Sequence, residues 1–388
     1  MSEEPKYRVA LIGGGRAGPS RAHAFDLHPL CKVVAIADTD PENLELTAGR
    51  FGAAAYPSWE ALFANERVDI AMPILPVRPN ADAVVAAAEA GVKAIFCEKP
   101  LTASLADADR MVEACASRGI PLGAGVMVSS HPDYRQAYQL AGDGTIGDLL
   151  RINHYGKNNQ GGCHGMNLVR KFAQKALVEE VIGRVSGDPC SDHEEAYDDA
   201  GSGFGDVGGY IRFANGIEAF LDLGGPINGI EVIGTRGMIL NRNNTSLGLE
   251  LRVAPAPAAR PGLADMERVD AGFASLRTEP RRRDSSGWQD PGAPMRAIVG
   301  DIIRALEEGG DLEITTGDDL RHALEMSIAA RESARRGSRP VALPLEDRSL
   351  TMYPERSRWH YKKEVIGRDK YMEQMAAQKI ETQRGGEA

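Results

Sequence analysis

Residues 9–18 read VALIGGGRAG. An apolar run stops abruptly at glycines, and Gly13, Gly15 and Gly18 stand in the spacing G-x-G-x-x-G. Such a stretch predicts a strand that turns sharply into a helix. Gly13 permits the tight turn, Gly15 lets backbone approach a diphosphate, and Gly18 allows the helix to pack closely on the strand. The N–H groups of the first helical turn, at Arg16 and Ala17 onward, then face the anion. A glycine pattern alone is weak, but Asp38 follows a second apolar run, CKVVAIA at 31–37. A carboxylate there can accept hydrogen bonds from ribose hydroxyls and repel a 2′-phosphate. Thr39 and Asp40 supply no compensating base. The stretch therefore predicts a site for NAD rather than NADP, with Gly13, Gly15, Arg16, Ala17, Gly18 and Asp38 as its cofactor-binding residues.

Working outward, the apolar runs YRVALIGG, CKVVAIAD, VDIAM, VKAIFC and LGAGV alternate with helical patterns near 17–26, 41–50, 79–90 and 104–118. Continuous apolar strands between helices predict a parallel sheet covered on both faces. Ser104 with Asp107 resembles a helix cap, and Gly119 stands where that helix should stop. After about residue 130 the pattern changes. Helices are predicted over 131–141 and 166–180, and a strand over 148–157. Six short strand candidates follow, VIGRVSG, GGYIRFAN, IEAFLDLG, GIEVIGT, GMILNR and LGLELRVA, joined by turns such as Ala214-Asn215-Gly216. Two late helices are expected near 293–308 and 317–335, the second capped by Thr316 and Asp319. The fold class is α/β: an N-terminal Rossmann domain at 1–128 and a C-terminal α+β domain on a largely antiparallel open sheet at 129–350. The late helices are candidates to pack back on the first domain. A charged extension occupies 351–388, and the poorly patterned 254–292 reads as an excursion or lid.

Composition narrows the function. With 388 residues, 43% of them apolar, the chain can build two cores. Its net charge of −10, without a basic stripe, argues against nucleic acid. The basic clusters at 281–284 and 331–339 read as solvated surface. No apolar run is long enough to span a membrane. Five scattered cysteines and an acidic N-terminus suggest a cytoplasmic, reducing environment.

Two further stretches carry chemistry. Residues 94–102 read AIFCEKPLT, so Glu98-Lys99-Pro100 follows a strand at the carboxyl edge of the parallel sheet, where ligands bind. Pro100 biases Lys99 towards an extended conformation that projects it to the ligand. The second stretch is QGGCHGMN at 160–167. If Cys163 begins a helix, His164 and Asn167 share a face. His164 can exchange a proton while Asn167 offers a donor and an acceptor to a hydroxyl; a purely structural histidine is the alternative. Cys163-His164 and the Cys190–His193 stretch lack zinc spacing, and adjacent side chains point apart, so no metal is expected.

GGGRAG with Asp38, the EKP at 98–100 and GGCHGMN at 161–167 together resemble the glucose–fructose oxidoreductase / inositol dehydrogenase (Gfo/Idh/MocA) family over about residues 5–340. The resemblance implies a two-domain subunit, nicotinamide-dependent redox chemistry on sugars or cyclitols, and homodimers or homotetramers joined through the open sheet. Lys99 and His164 are the expected catalytic residues, with Lys99 the base or polarising group and His164 the alternative base or the second member of a proton relay. Gln160, Asn167 and Tyr155 are expected to bind substrate, with Asn158 and Asn159 weaker candidates, and Glu98 to turn towards the cofactor. The chain departs from the family's D-x-G-x-H-x-x-D, placing Gln160 and Asn167 at its two aspartates, and it carries Arg78 in PVRPN at 76–80. The expected activity is an NAD-dependent sugar, cyclitol or polyol dehydrogenase. The alternatives are an enzyme using tightly held NAD for transient oxidation with elimination or glycoside cleavage, and a non-catalytic nicotinamide sensor.

Overall fold

The computed structural model describes residues 5–15, 17–156, 162–185, 207–222, 229–241, 248–255, 262–274 and 290–352. The first unit runs β1 (Tyr7–Ile12), α1 (Gly18–Asp26), β2 (Cys31–Ala37), α2 (Pro41–Phe51), β3 (Ala54–Tyr56), α3 (Trp59–Asn65), β4 (Ile70–Pro73), α4 (Val77–Glu89), β5 (Ala94–Cys97), α5 (Leu105–Ala116) and β6 (Leu122–Ala124). The six strands form a parallel sheet in the order β3-β2-β1-β4-β5-β6. Because strand side chains alternate between faces, Ala10 and Ile12 of β1 enter one core while Val9 and Leu11 enter the other. The short β3 and α3 escape the sequence reading, since three and seven residues carry too little periodicity to register.

The second unit adds α6 (Pro132–Gly142), β7 (Leu149–Tyr155), α7 (Gly165–Phe172), β8 (Val178–Val185), β9 (Val207–Phe213), β10 (Glu218–Leu221), β11 (Gly229–Gly234), β12 (Gly237–Asn241), β13 (Glu250–Val253) and β14 (Glu267–Val269), then α8 (Gly292–Glu308), α9 (Gly317–Arg335) and β15 (Val341–Ala342). These nine strands form one sheet, β14-β13-β12-β11-β7-β10-β9-β8-β15, antiparallel except where β7 and β10 run together. The helix expected over 166–180 stops at Phe172. Gln174 and Lys175 adopt φ of 57° and 55°, and Leu177 leads into β8. Part of the expected lid is β14, an edge strand; the rest falls largely at 256–261 and 275–289, outside the described residues.

The late helices join the two units. Met295, Ile298, Val299 and Ile302 of α8 enter the core of the first sheet beside Leu11, Ile36 and Phe96. Helix α9, opened by a complete Thr316–Asp319 capping box, lies against β8 so closely that a Cβ on Gly183 would stand 2.0 Å from the Ala330 carbonyl oxygen. This packing corrects one surface expectation: Arg331 and Ser333 of the basic cluster are buried. Beyond α9 the chain returns to α5, and Arg348 pairs with Asp109 of α5 and Glu325 of α9. Apart from residues 351 and 352, the C-terminal extension lies outside the described residues.

Candidate functional site

The turn after β1 sits where the strand order reverses between β1 and β4, the usual ligand crevice of an open parallel sheet. Its glycines meet different demands. Gly13 has φ of +103°, and a Cβ there would stand 2.4 Å from the Ile74 carbonyl oxygen. A Cβ on Gly18 would come within 1.9 Å of the Gly13 carbonyl oxygen, so α1 packs on the turn with no room for a side chain. At Gly15 the nearest atom to a Cβ would be Asn43 Nδ2 at 3.8 Å. The protein thus leaves space beside Gly15, at the mouth of a helix whose first turn has no side-chain cap and no acid. A diphosphate fits that space and those N–H groups. Arg16 lies outside the described residues, while Ala17 is the residue preceding the helix.

Asp38 closes the turn from the end of β2. Its Oδ2 accepts from Gly14 N at 2.7 Å and its Oδ1 from Asp40 N at 2.8 Å. Thr47 Oγ1 donates to the Gly14 carbonyl at 2.9 Å. Carboxylate oxygens have further lone pairs, so both remain able to accept from a ribose.

Glu98 and Lys99 stand half-buried at the end of β5, and a cis bond joins Lys99 to Pro100. Glu98 turns to the first helix: its Oε2 accepts from Arg21 Nε at 2.9 Å, and its Oε1 accepts from the Lys99 backbone N–H at 3.2 Å. The carboxylate packs on Gly125, where a Cβ would approach within 3.1 Å. Arg21 is a residue that sequence reasoning missed, because nothing local links α1 to β5.

His164 lies beside Lys99. It occupies the position before α7 rather than the helix itself, which begins at Gly165. Burial, and then the Lys99 charge, hold its imidazole down at about 4, so the ring is neutral at pH 7. Neighbouring Cys163 is buried, and that burial pushes its thiol up to about 12 although Lys99 pulls the other way. Cys163 is therefore a protonated packing group rather than a nucleophile.

The remaining predicted substrate residues divide. Asn167 is 1% exposed, and its amide donates to Ser129 Oγ at 3.0 Å and Thr315 Oγ1 at 3.2 Å. It thus ties α7 to the segments before α6 and α9, and only its Oδ1 has no partner. Tyr155 is held by a different partner. Strand alternation sends Ile152 and His154 of β7 into the core and turns Asn153 and Tyr155 to the opposite face of the sheet. There Tyr155 donates to Glu231 Oε2 at 3.0 Å, as does the Asn153 amide at 3.1 Å. Tyr155 therefore lies on the face of the sheet opposite Ile152 and His154. Gln160, Asn158, Asn159, the side chain of Arg78 and the Cys190–His193 stretch lie outside the described residues. Among the described residues no cluster of His, Cys, Asp or Glu could hold a metal.

Residues 7–126 match the family described as an oxidoreductase family with an NAD-binding Rossmann fold. The chain is 30% identical to the 2,7-anhydro-N-acetylneuraminate hydratase of Mediterraneibacter gnavus, over 36% of its own length and 37% of the relative's. It is 26% identical to the inositol 2-dehydrogenase of Rhizobium meliloti over 84% of its own length and 96% of that protein. Several curated matches thus span less than half of the relative, whereas the last spans nearly all of it. In fold the chain is similar to a levoglucosan dehydrogenase solved with NADH and levoglucosan. The TM-score is 0.66 at 22% identity, over 87% of this chain and 100% of that one.

Proposed function

We propose that this chain, whose first domain belongs to the Gfo/Idh/MocA oxidoreductase family, is an NAD-dependent oxidoreductase that moves hydride between a hydroxyl-bearing carbon of a sugar, cyclitol or related polyol and the nicotinamide. The observation that carries the reading is the meeting of Lys99 and His164. They come from distant parts of the sequence, yet stand close enough for the lysine charge to add to the burial that keeps the histidine neutral.

When bound, NAD supplies the hydride acceptor. The chain's own residues supply the rest. Gly13, Gly15, Ala17 and Gly18 shape the diphosphate cradle, and Asp38 receives the ribose. Glu98, held by Arg21, ties the catalytic turn to the cofactor helix. Lys99 polarises the substrate oxygen or takes its proton. His164, neutral at pH 7, can accept a proton and releases it readily, as suits a relay member. The preference for NAD rests on Asp38. The division at residue 128, a cytoplasmic location and a homodimer or homotetramer belong to the same proposal. Among the described residues no helix is long and apolar enough to cross a membrane, and four cysteines are free and buried.

The relative named a hydratase motivates a second reading, in which tightly held NAD oxidises transiently and is restored. One experiment separates the classes: purified full-length chain, NAD or NADP, and a panel of cyclitols and sugars, followed by nicotinamide absorbance and product analysis. NADH accumulating with one substrate supports the dehydrogenase. Product without net NADH supports the transient reaction. Bound NAD with neither outcome would leave a sensor.

A further inference from the structure

We infer that Asn80 is a positioning residue for Lys99: its side-chain amide anchors the exit of the catalytic turn, opposite the anchor that Arg21 provides at Glu98. The inference rests on the polyol-oxidoreductase reading, in which Lys99 acts on the substrate, and adds a residue that works only through that lysine. The chain leaves the first sheet after Cys97, which pairs with Ala124 of β6. Lys99 then stands beyond the strand, and side chains from helices on opposite faces of the sheet fix the two ends of its turn. Arg21 belongs to α1, whose Ala22 and Phe25 enter the core shared with α8, and its Nε donates to Glu98 Oε2 at 2.9 Å. Asn80 belongs to α4, whose Ala81, Val84 and Ala87 enter the other core, and its Nδ2 donates to the Leu101 carbonyl at 2.8 Å. Lys99 lies between these anchors in the chain.

Packing alone does not explain the residue. Asn80 is 1% exposed and shares its helix face with the buried Val84 and Ala87, at the i+4 and i+7 positions. A leucine of similar shape would fill that place without burying polar atoms. The amide makes its bond to Leu101 and leaves its own Oδ1 unpartnered, although an unpaired buried polar atom costs about 1–3 kcal/mol. Turning the amide over would set two oxygens against each other, so the Leu101 carbonyl dictates its orientation. Leu101 and Thr102 are buried, whereas Glu98 and Lys99 keep part of their surface exposed. The turn is thus held at both ends while its lysine stays open to a ligand. A misplacement of about 1 Å at a reacting group can cost about a hundred-fold in rate, which makes such anchors matter to catalysis.

The test uses the full chain and two variants. Asn80→Leu removes the donor, and Asn80→Asp donates to the Leu101 carbonyl only when its carboxyl is protonated. With NAD and myo-inositol, D-glucose or D-xylose as probes, kcat per titrated NAD site should fall about ten-fold in Asn80→Leu, with the KM for NAD and for the polyol within about two-fold of wild type. Counting NAD sites keeps unfolded protein out of the comparison. In Asn80→Asp, kcat relative to wild type should rise as pH falls from about 8 to about 6, because burial favours the protonated carboxyl. The lysine itself is read with acetic anhydride, by the acetylation of Lys99 relative to Lys93, the exposed lysine just before β5, in peptide mass spectra. That ratio should rise at least about three-fold in Asn80→Leu as the turn loosens locally. A kcat within about two-fold of wild type, or an unchanged acetylation ratio, overturns the assignment. If the wild-type chain reduces NAD with none of the probes, the dehydrogenase reading fails on its own account, and the acetylation ratio alone decides the role of Asn80. If Asn80→Leu does not fold, Asn80→Asp at pH of about 8 takes its place in both measurements, and a relative kcat that stays flat across the pH range overturns the assignment.

Discussion

In the proposed reaction Lys99 acts on the substrate, and its charge also acts on the neighbouring His164. Replacing it with alanine should leave NAD affinity near that of wild type, since the cradle is built from β1, α1 and β2. Hydride transfer should fall by about 10²–10⁴-fold, the usual worth of a positioned acid or base. Single-turnover absorbance measurements check this, and near wild-type turnover would remove Lys99 from catalysis. The same charge gives a second prediction. The His164 imidazole should titrate near 4, so the ring stays neutral through pH 5.5, where an ordinary histidine would be mostly protonated. In Lys99→Met the repulsion is gone and the midpoint should rise, with burial still holding it below 6.5. Imidazole NMR titration of both proteins reads the difference directly. A shared midpoint would mean that Lys99 does not act on the ring.

At the scale of elements, the β1–α1 turn separates folding from binding within six residues. Gly18→Ala forces a methyl against the Gly13 carbonyl oxygen, at a distance no side chain tolerates. It should destabilise the chain by several kcal/mol, as backbone overpacking does, and lower the urea midpoint. Gly15→Ala meets nothing closer than 3.8 Å and should leave that midpoint almost unchanged. Its methyl would instead enter the space assigned to the diphosphate, and NAD affinity should fall at least about ten-fold, or 1.4 kcal/mol. Calorimetric titration of the variants decides it: equal effects on folding and binding would refute the division of labour. Both glycines were legible from spacing alone, as were the caps at Ser104 and Thr316, because local backbone demands are written locally. The end of α7 was not legible. Ala173 to Ala176 carry good helix formers, and the left-handed Gln174 and Lys175 answer to packing beyond the helix.

For the whole molecule, α8 and α9 bind a sheet made early in the chain to one made late. Gly183→Ala would drive a methyl into the Ala330 backbone and separate α9 from β8, so it should cost more than about 2 kcal/mol in urea unfolding. A variant as stable as wild type would show that this contact does not hold the units together. Acid should also act globally. The buried His154 is held near 4, whereas an unfolded histidine titrates near 6.5, so the unfolded chain binds more protons between those values. Stability is therefore full above pH 6.5 and declines as pH falls towards 4. His154 accounts for about 2 kcal/mol of the loss between pH 7 and pH 5. His154→Gln should flatten that part of the profile; an unchanged slope would place the proton uptake elsewhere.

By itself the sequence determined the first sheet, its glycine turn, Asp38, the lysine at the end of β5 and the late helices. Each is encoded in contiguous residues whose periodicity or steric demand needs no partner. It also led to the expectation that His164 works with Lys99, through a resemblance that spans both motifs. Only the tertiary structure decided which face of β7 looks inward, and with it that Tyr155 meets Glu231 while His154 is buried beside His164. A strand's side chains alternate whatever its surroundings, but which alternate set is buried depends on the sheet's neighbours. Ile152 and His154 face the core because helices cover that side. The partners of Glu98 and Asn167 were set in the same way, since Arg21, Ser129 and Thr315 reach them only once the chain has folded.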